Sequence, residues 1–231
     1  MSTISIIGSG GMAAAIGGLA AKAGHAVEVM SRDAAKARAL AEQAGARATT
    51  GTFGAVPAGD IVILAVPYSA VLNVVKQYGD KLAGKLLVDI TNPVAADLTS
   101  FVTPGDSSGA QEIARAAPAD AVIVKAFNTL FSHVLAAGSF QGRSLDVFIA
   151  GDDARAKGMS RYSLRASDCA RWISDCCPWR GRWNTSACCR WACSHTPSST
   201  PTFQSGSAFP AELTRSTIFS SHLQGTAACA F

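Results

Sequence analysis

The residues best able to do chemistry sit near the start of the chain, where three glycines are spaced to meet a phosphate. Gly8-Ser9-Gly10-Gly11-Met12-Ala13 has the G-x-G-x-x-A spacing. It follows the β-branched, apolar run Thr3-Ile4-Ser5-Ile6-Ile7 and leads into small residues that read as a helix over 12–23. A strand, a glycine turn and a helix in that order can hold a dinucleotide. Gly8 allows the tight turn, Gly10 lets the backbone approach a pyrophosphate, and Ala13 lets the helix lie close to the strand. The helix N-terminus adds free N–H groups and partial positive charge. The spacing by itself is weak; the strand before it and the helix after it carry the reading.

The kind of dinucleotide is set at the end of the second strand, Ala26-Val27-Glu28-Val29-Met30. An enzyme for NAD usually has Asp or Glu there to bond the ribose 2′-hydroxyl. This chain has Ser31 and Arg32, with Lys36 one helical turn on. A hydroxyl and two cations suit a 2′-phosphate, which Arg grips with two parallel hydrogen bonds. The alternative is a helix start with solvated surface charges, Asp33 and Lys36 among them.

The elements that must position these residues alternate between strand and helix. A helix rich in Ala, Lys, Arg and Glu spans 34–44 and stops at Gly45, before a short strand at 46–50. Ile61-Val62-Ile63-Leu64-Ala65-Val66 is continuously apolar, as in a parallel strand buried on both faces. Pro67 ends it, and Ser69 is expected to cap a helix over 70–78. Further strands end at Asp89-Ile90-Thr91-Asn92-Pro93 and at Phe127-Asn128, with a weak helix at 109–117 between them. The last strand is 145–150. This alternation predicts an α/β, Rossmann-type, doubly wound parallel sheet of about six strands. Right-handed crossovers put the strand ends on one edge, so the ends should meet in one crevice.

The strand-end segments resemble the NADP oxidoreductases that depend on the deazaflavin coenzyme F420. They are also similar to the NADPH-binding domain of six-transmembrane ferric reductases. The matching segments are 6–12, Ser31-Arg32 with Lys36, Val66-Pro67-Tyr68, 89–93, 124–129 and 150–153, covering about the first 157 residues in order. The resemblance implies NADP(H) as cofactor and F420, or a flavin, as second redox partner. It implies that Ser9, Gly10, Gly11 and Met12 hold the pyrophosphate, and that Ser31, Arg32 and Lys36 hold the 2′-phosphate. Val66, Pro67 and Tyr68 would lie along the nicotinamide half. Asn92, Pro93, Phe127 and Asn128 would line the face for the second coenzyme. A homodimer is usual in the family.

The rest of the first half fits hydride transfer between two coenzymes. No Ser/His/Asp set, metal quartet or carboxylate pair appears in it. Such transfer needs no strong base; the protein must stack the two rings at about 3–3.5 Å and exclude water. Dehydrogenation of an alcohol would call for a Tyr, Lys or His relay, a role Lys125 could serve. Lys125 reads equally as a coenzyme contact or as a strand-end cation paired with a surface acid. Pro67 can simply end a strand, and Asn92-Pro93 is a common turn pair. His25 reads as structural and His133 as lying on a solvated helix face.

The composition breaks near residue 158. Residues 1–158 contain no Cys or Trp and carry 13 Lys+Arg against 13 Asp+Glu. All seven Cys and four Trp follow, with 7 Arg, 3 acids and no Lys, so the net +4 resides in the tail. The charge therefore does not mark a nucleic-acid surface on the folded half. The domains are a dinucleotide-binding domain at 1–157 and an aberrant, irregular tail at 158–231. A one-nucleotide frameshift explains the tail. With codons chosen freely, 167–208 read one register off can encode a string of helical period. The alternatives are a zinc site from Cys176, Cys177, Cys188, Cys189, Cys193 and His195, and single-strand stacking by Arg180, Arg182 and Arg190 among Trp179, Trp183 and Trp191. The cysteine spacing lacks the C-x2-C pairs of common zinc modules. With such a tail the chain is either an active NADP(H)-dependent oxidoreductase or an NADP-binding half-molecule without turnover, and the family's dimer is not assured. No apolar span suggests a transmembrane helix and no signal peptide is evident, so a cytoplasmic protein without membrane or nucleic-acid partners is expected.

Overall fold

The computed structural model describes residues 1–97, 99–140, 143–153, 156 and 170–173. The chain begins with β1 (Thr3–Ile7), α1 (Gly11–Lys22), β2 (Ala26–Ser31), α2 (Ala34–Ala44) and β3 (Ala48–Thr52). It continues with β4 (Ile61–Leu64), α3 (Tyr68–Tyr78), a 3-10 turn (Gly79–Leu82), β5 (Leu86–Asp89), α4 (Gly109–Ala116), β6 (Val122–Ala126) and α5 (Ser132–Ala137). Strands β7 (Ser139–Phe140), β8 (Arg143–Ala150) and β9 (Ala170–Ile173) follow. The sheet order is β3-β2-β1-β4-β5-β6-β8-β7, with β9 on β8.

Strands β1 to β6 are all parallel. The order reverses between β1 and β4, which are neighbours, and in open α/β sheets such a reversal marks the ligand crevice. Each central strand is buried on both faces, so its residues serve two cores in alternation. Ile61 and Ile63 face α1 and α2 with Ile4, Ile6, Val27 and Val29. Val62 and Leu64 face α3 and α4 with Ile7, Met30 and Leu87. The continuous apolar run is thus two period-2 faces superposed.

Three expectations are corrected. The last strand, β8, is antiparallel to β6, pairing Lys125 with Ala150 and Ala126 with Ile149. After β6 the chain makes only the six-residue α5, turns at Gly138 in the left-handed region (φ 75°), and pairs β7 with β8 antiparallel. It does not complete the helical crossover that a parallel strand needs. Helix α3 starts two residues before the expected position: Pro67 is its N-cap, without a side-chain cap, and Ser69 lies inside its first turn. Pro67 has no N–H to lose and a φ of −59°, so it serves a helix entry as well as a strand end. Finally, Ala170–Ile173 of the tail forms β9, parallel to Leu145–Phe148. Four residues are too few to show a period, although Trp and Ile favour strands. The other tail residues, including the cysteines and His195 of the metal alternative and the Arg-Trp set, lie outside the described residues.

Candidate dinucleotide site

The site is built at the carboxyl ends of the parallel strands. β1 ends at Ile7 and the chain turns at Gly8, whose φ is +129°. A Cβ on Gly8 would run into the Ala65 carbonyl, so only glycine lets β1 and β4 leave the sheet this close together. The Gly8 N–H donates to Met30 O at 2.8 Å, and the Ala65 N–H to Ile7 O at 2.9 Å. Three strand ends are tied by these contacts.

Gly10 is the N-cap of α1, extended and exposed. Nothing lies within 4 Å of the position its Cβ would take. The opening of α1 therefore faces free space, as an approaching anion requires. Gly11 differs: a Cβ there would meet Ser132 Oγ at 3.0 Å. Gly11 therefore serves the approach of α5 as well as the loop, a role with no signal in the local spacing. Met12 is half-buried, and Ala13 is fully buried between α1 and the sheet.

The Ser9 and Ser31 hydroxyls share a hydrogen bond of 2.8 Å, joining the glycine loop to the end of β2. Ser31 Oγ also accepts the Asp33 N–H at 3.2 Å. Arg32 is exposed and makes no ion pair among the described residues. Lys36 is exposed and lies 3.3 Å from the Asp33 carboxylate. Asp33 caps α2 by accepting the Lys36 N–H at 3.0 Å. That backbone hydrogen bond is the main reason its carboxyl is held below the usual range. The structure brings Ser31 to the loop and leaves both cations beside it in solvent.

On the other side of the crevice, Val66 is half-buried, Pro67 is exposed, and Tyr68 packs near Pro93 across Gly109. A Cβ on Gly109 would lie 3.0 Å from the Tyr68 ring and 3.3 Å from Pro93. Burial raises the Tyr68 hydroxyl above the usual phenol range, and the Glu112 and Asp89 carboxylates push the same way. The hydroxyl thus stays protonated at neutral pH. Asn92 Nδ2 donates to Asn128 O at 2.9 Å, and Asn128 Nδ2 donates to Asn92 Oδ1 at 3.2 Å. Phe127 is buried with a φ of 62°, a left-handed conformation uncommon for a bulky residue.

Lys125 is not paired with a surface acid. It is buried beneath the strand ends, with Nζ 2.8 Å from Asp89 Oδ2 and 2.6 Å from Thr91 O. The sequence carried a signal for this pair: opposite charges close two consecutive apolar strands, and Asp89 and Lys125 share one register position. His133 is exposed, as expected, and stacks on Phe131. Among the described residues, no group of three or more His, Cys, Asp or Glu could hold a metal ion. No helix among them is long and apolar enough to cross a membrane.

Residues 3–93 match the family model described as NADP oxidoreductase, coenzyme F420-dependent. The F420-dependent NADP reductase of Methanocaldococcus jannaschii is 30% identical over 103 residues, covering 43% of this chain and 45% of that one. The metalloreductase STEAP3 of Rattus norvegicus is 31% identical over 166 residues, 71% of this chain and 32% of that one. The chain thus spans less than half the length of these relatives. The crystal structure of a hypothetical protein from Sinorhizobium meliloti superposes with a TM-score of 0.65 at 26% identity, covering 75% of this chain and 85% of that one.

Proposed function

We infer, for a chain whose residues 3–93 match the model of the F420-dependent NADP oxidoreductases, that it moves a hydride between NADP(H) and a deazaflavin coenzyme. The observation that carries this reading is the open N-terminus of α1 at Gly10, set beside the Ser9–Ser31 hydroxyl pair and two solvent-facing cations. The residues fit the cofactor. Backbone N–H groups at Gly11 and Met12 suit a pyrophosphate, and Ser31, Arg32 and Lys36 suit a 2′-phosphate.

When bound, the nicotinamide and the deazaflavin supply the hydride donor and acceptor. The chain's own residues bind and orient them. Gly8 and Ala65 bring the ends of β1 and β4 together at the reversal of strand order, where the two halves of a dinucleotide part. Tyr68 and Pro93 form a wall that keeps water from one side of the crevice. Asn92 and Asn128 present amides held by their mutual hydrogen bonds. Lys125 is engaged by Asp89 and Thr91, which argues against the proton-relay role that alcohol chemistry would require.

A second reading takes a flavin or ferric chelate as acceptor. Its support is the metalloreductase match, which runs over more of this chain than the F420-dependent relative does. NADPH should be offered with F420, with FMN and with a ferric chelate in parallel, following absorbance. Oxidation of NADPH by F420 alone is the expected result; oxidation by the ferric chelate alone replaces the first reading with the second. NADPH binding without turnover on any acceptor leaves the chain a binding half-molecule.

A further inference from the structure

The Asp89–Lys125 pair is more elaborate than a strand end requires. Asp89 is fully buried and Lys125 is 8% exposed. Asp89 Oδ1 accepts from both the N–H and the hydroxyl of Thr91, at 2.8 and 2.7 Å. Its Oδ2 accepts from Lys125, which also donates to Thr91 O. Thr91 is thereby held at its amide, its carbonyl and its side chain by two charges. The next residue, Asn92, is locked to Asn128 in both directions. Between Lys125 and Asn128 the chain passes through the left-handed Phe127.

Stability is a poor reason for such a pair. Two charges lose their hydration on burial, and well-packed apolar residues at such places are often as stable or more so. The pair does fix geometry, because each hydrogen bond is directional and together they join β5 to β6 just below the two amides. We propose that Lys125 and Asp89 are positioning residues whose buried pair sets the turns from which Asn92 and Asn128 face the second redox substrate. The reaction in which this matters is the one given under Proposed function; the positioning itself is a property of the turns.

The test uses the full chain with Lys125→Met and with the double change Asp89→Asn, Lys125→Met. The single change leaves a buried carboxylate unpaired and should lower the melting temperature strongly. The double change removes both charges, keeps an acceptor for Thr91, and should recover most of that loss. NADPH affinity in the double variant should stay within about threefold of the parent, while KM for the acceptor rises about tenfold or more. Amide hydrogen exchange should quicken at Thr91, Asn92 and 127–129 and stay unchanged in the glycine loop. Parental acceptor kinetics regained along with melting temperature would overturn the proposal. If the parent turns over no acceptor, the functional reading fails by itself and hydrogen exchange decides: unchanged protection at Thr91, Asn92 and 127–129 in the double variant overturns the positioning role.

Discussion

Arg32 follows Ser31, is exposed and makes no ion pair among the described residues, and we propose that it tells NADPH from NADH. Loss of a charge-assisted hydrogen-bond set costs on the order of 1.5–3 kcal/mol, or about tenfold or more in affinity. Arg32→Ala should weaken NADPH to that extent and leave NADH nearly unchanged, as read by titration of each. Equal losses would remove the 2′-phosphate assignment. Gly8 and Gly10 share a motif but not a task. Gly8→Ala meets the Ala65 carbonyl at a positive φ and should destabilise the fold by about 2 kcal/mol or more in urea unfolding. Gly10→Val points into open space. Its far-UV circular dichroism should match the parent while binding of both dinucleotides disappears; retained binding would make the loop an ordinary turn.

At the scale of elements, α4 shows what a local motif contributes. Ser108 accepts the Gln111 N–H at 3.3 Å, and Gln111 Oε1 accepts the Ser108 N–H at 2.8 Å, a reciprocal capping box. Ser108→Ala should cost about 1 kcal/mol in denaturant unfolding. At the start of β2, burial holds the His25 imidazole below its ordinary value of about 6.5, and Nδ1 accepts the Ser2 N–H. A lowered histidine means that the unfolded chain binds more protons. Its stabilising share is present above pH of about 6.5 and is lost as pH falls through the folded value. The fall in stability from neutral to acid pH should therefore be smaller in His25→Asn; an identical fall would show that the imidazole is not involved. Much of this element structure was legible in the sequence. Buried parallel strands write themselves as unbroken apolar runs, so β1, β4, β5 and β6 stood out, and the glycine loop lay between two of the clearest elements. The S-x-x-Q of the capping box was equally available at 108–111, yet the few apolar residues of α4 made the helix look weak. The direction of β8 was not legible, because an apolar strand reads alike parallel or antiparallel. That direction is set by the short α5 and the β7–β8 pairing that precede it.

At the scale of the whole molecule, the candidate site draws on residues from 8 to 132, brought together because six parallel strands end on one edge. The spacing of the glycines disclosed one half of that site. Asn92 and Asn128 lie just past β5 and β6, which are joined by a long crossover, so no local pattern could disclose that they meet, whereas the ion pair was signalled by the opposite charges near the ends of those two apolar strands. Beyond that edge, β9 has a consequence for how the molecule behaves in a crowd. Leu145–Phe148 owes a row of its backbone pairing to a strand drawn from twenty or so residues further along. A chain ended after 157 would leave those N–H and C=O groups without that partner, and a bare, apolar strand recruits the same row from another molecule. Such a chain should stay monomeric when dilute and form larger species as its concentration rises, as sedimentation would show. The full chain should resist this over the same range, the short β9 acting as a built-in stopper against polymerisation.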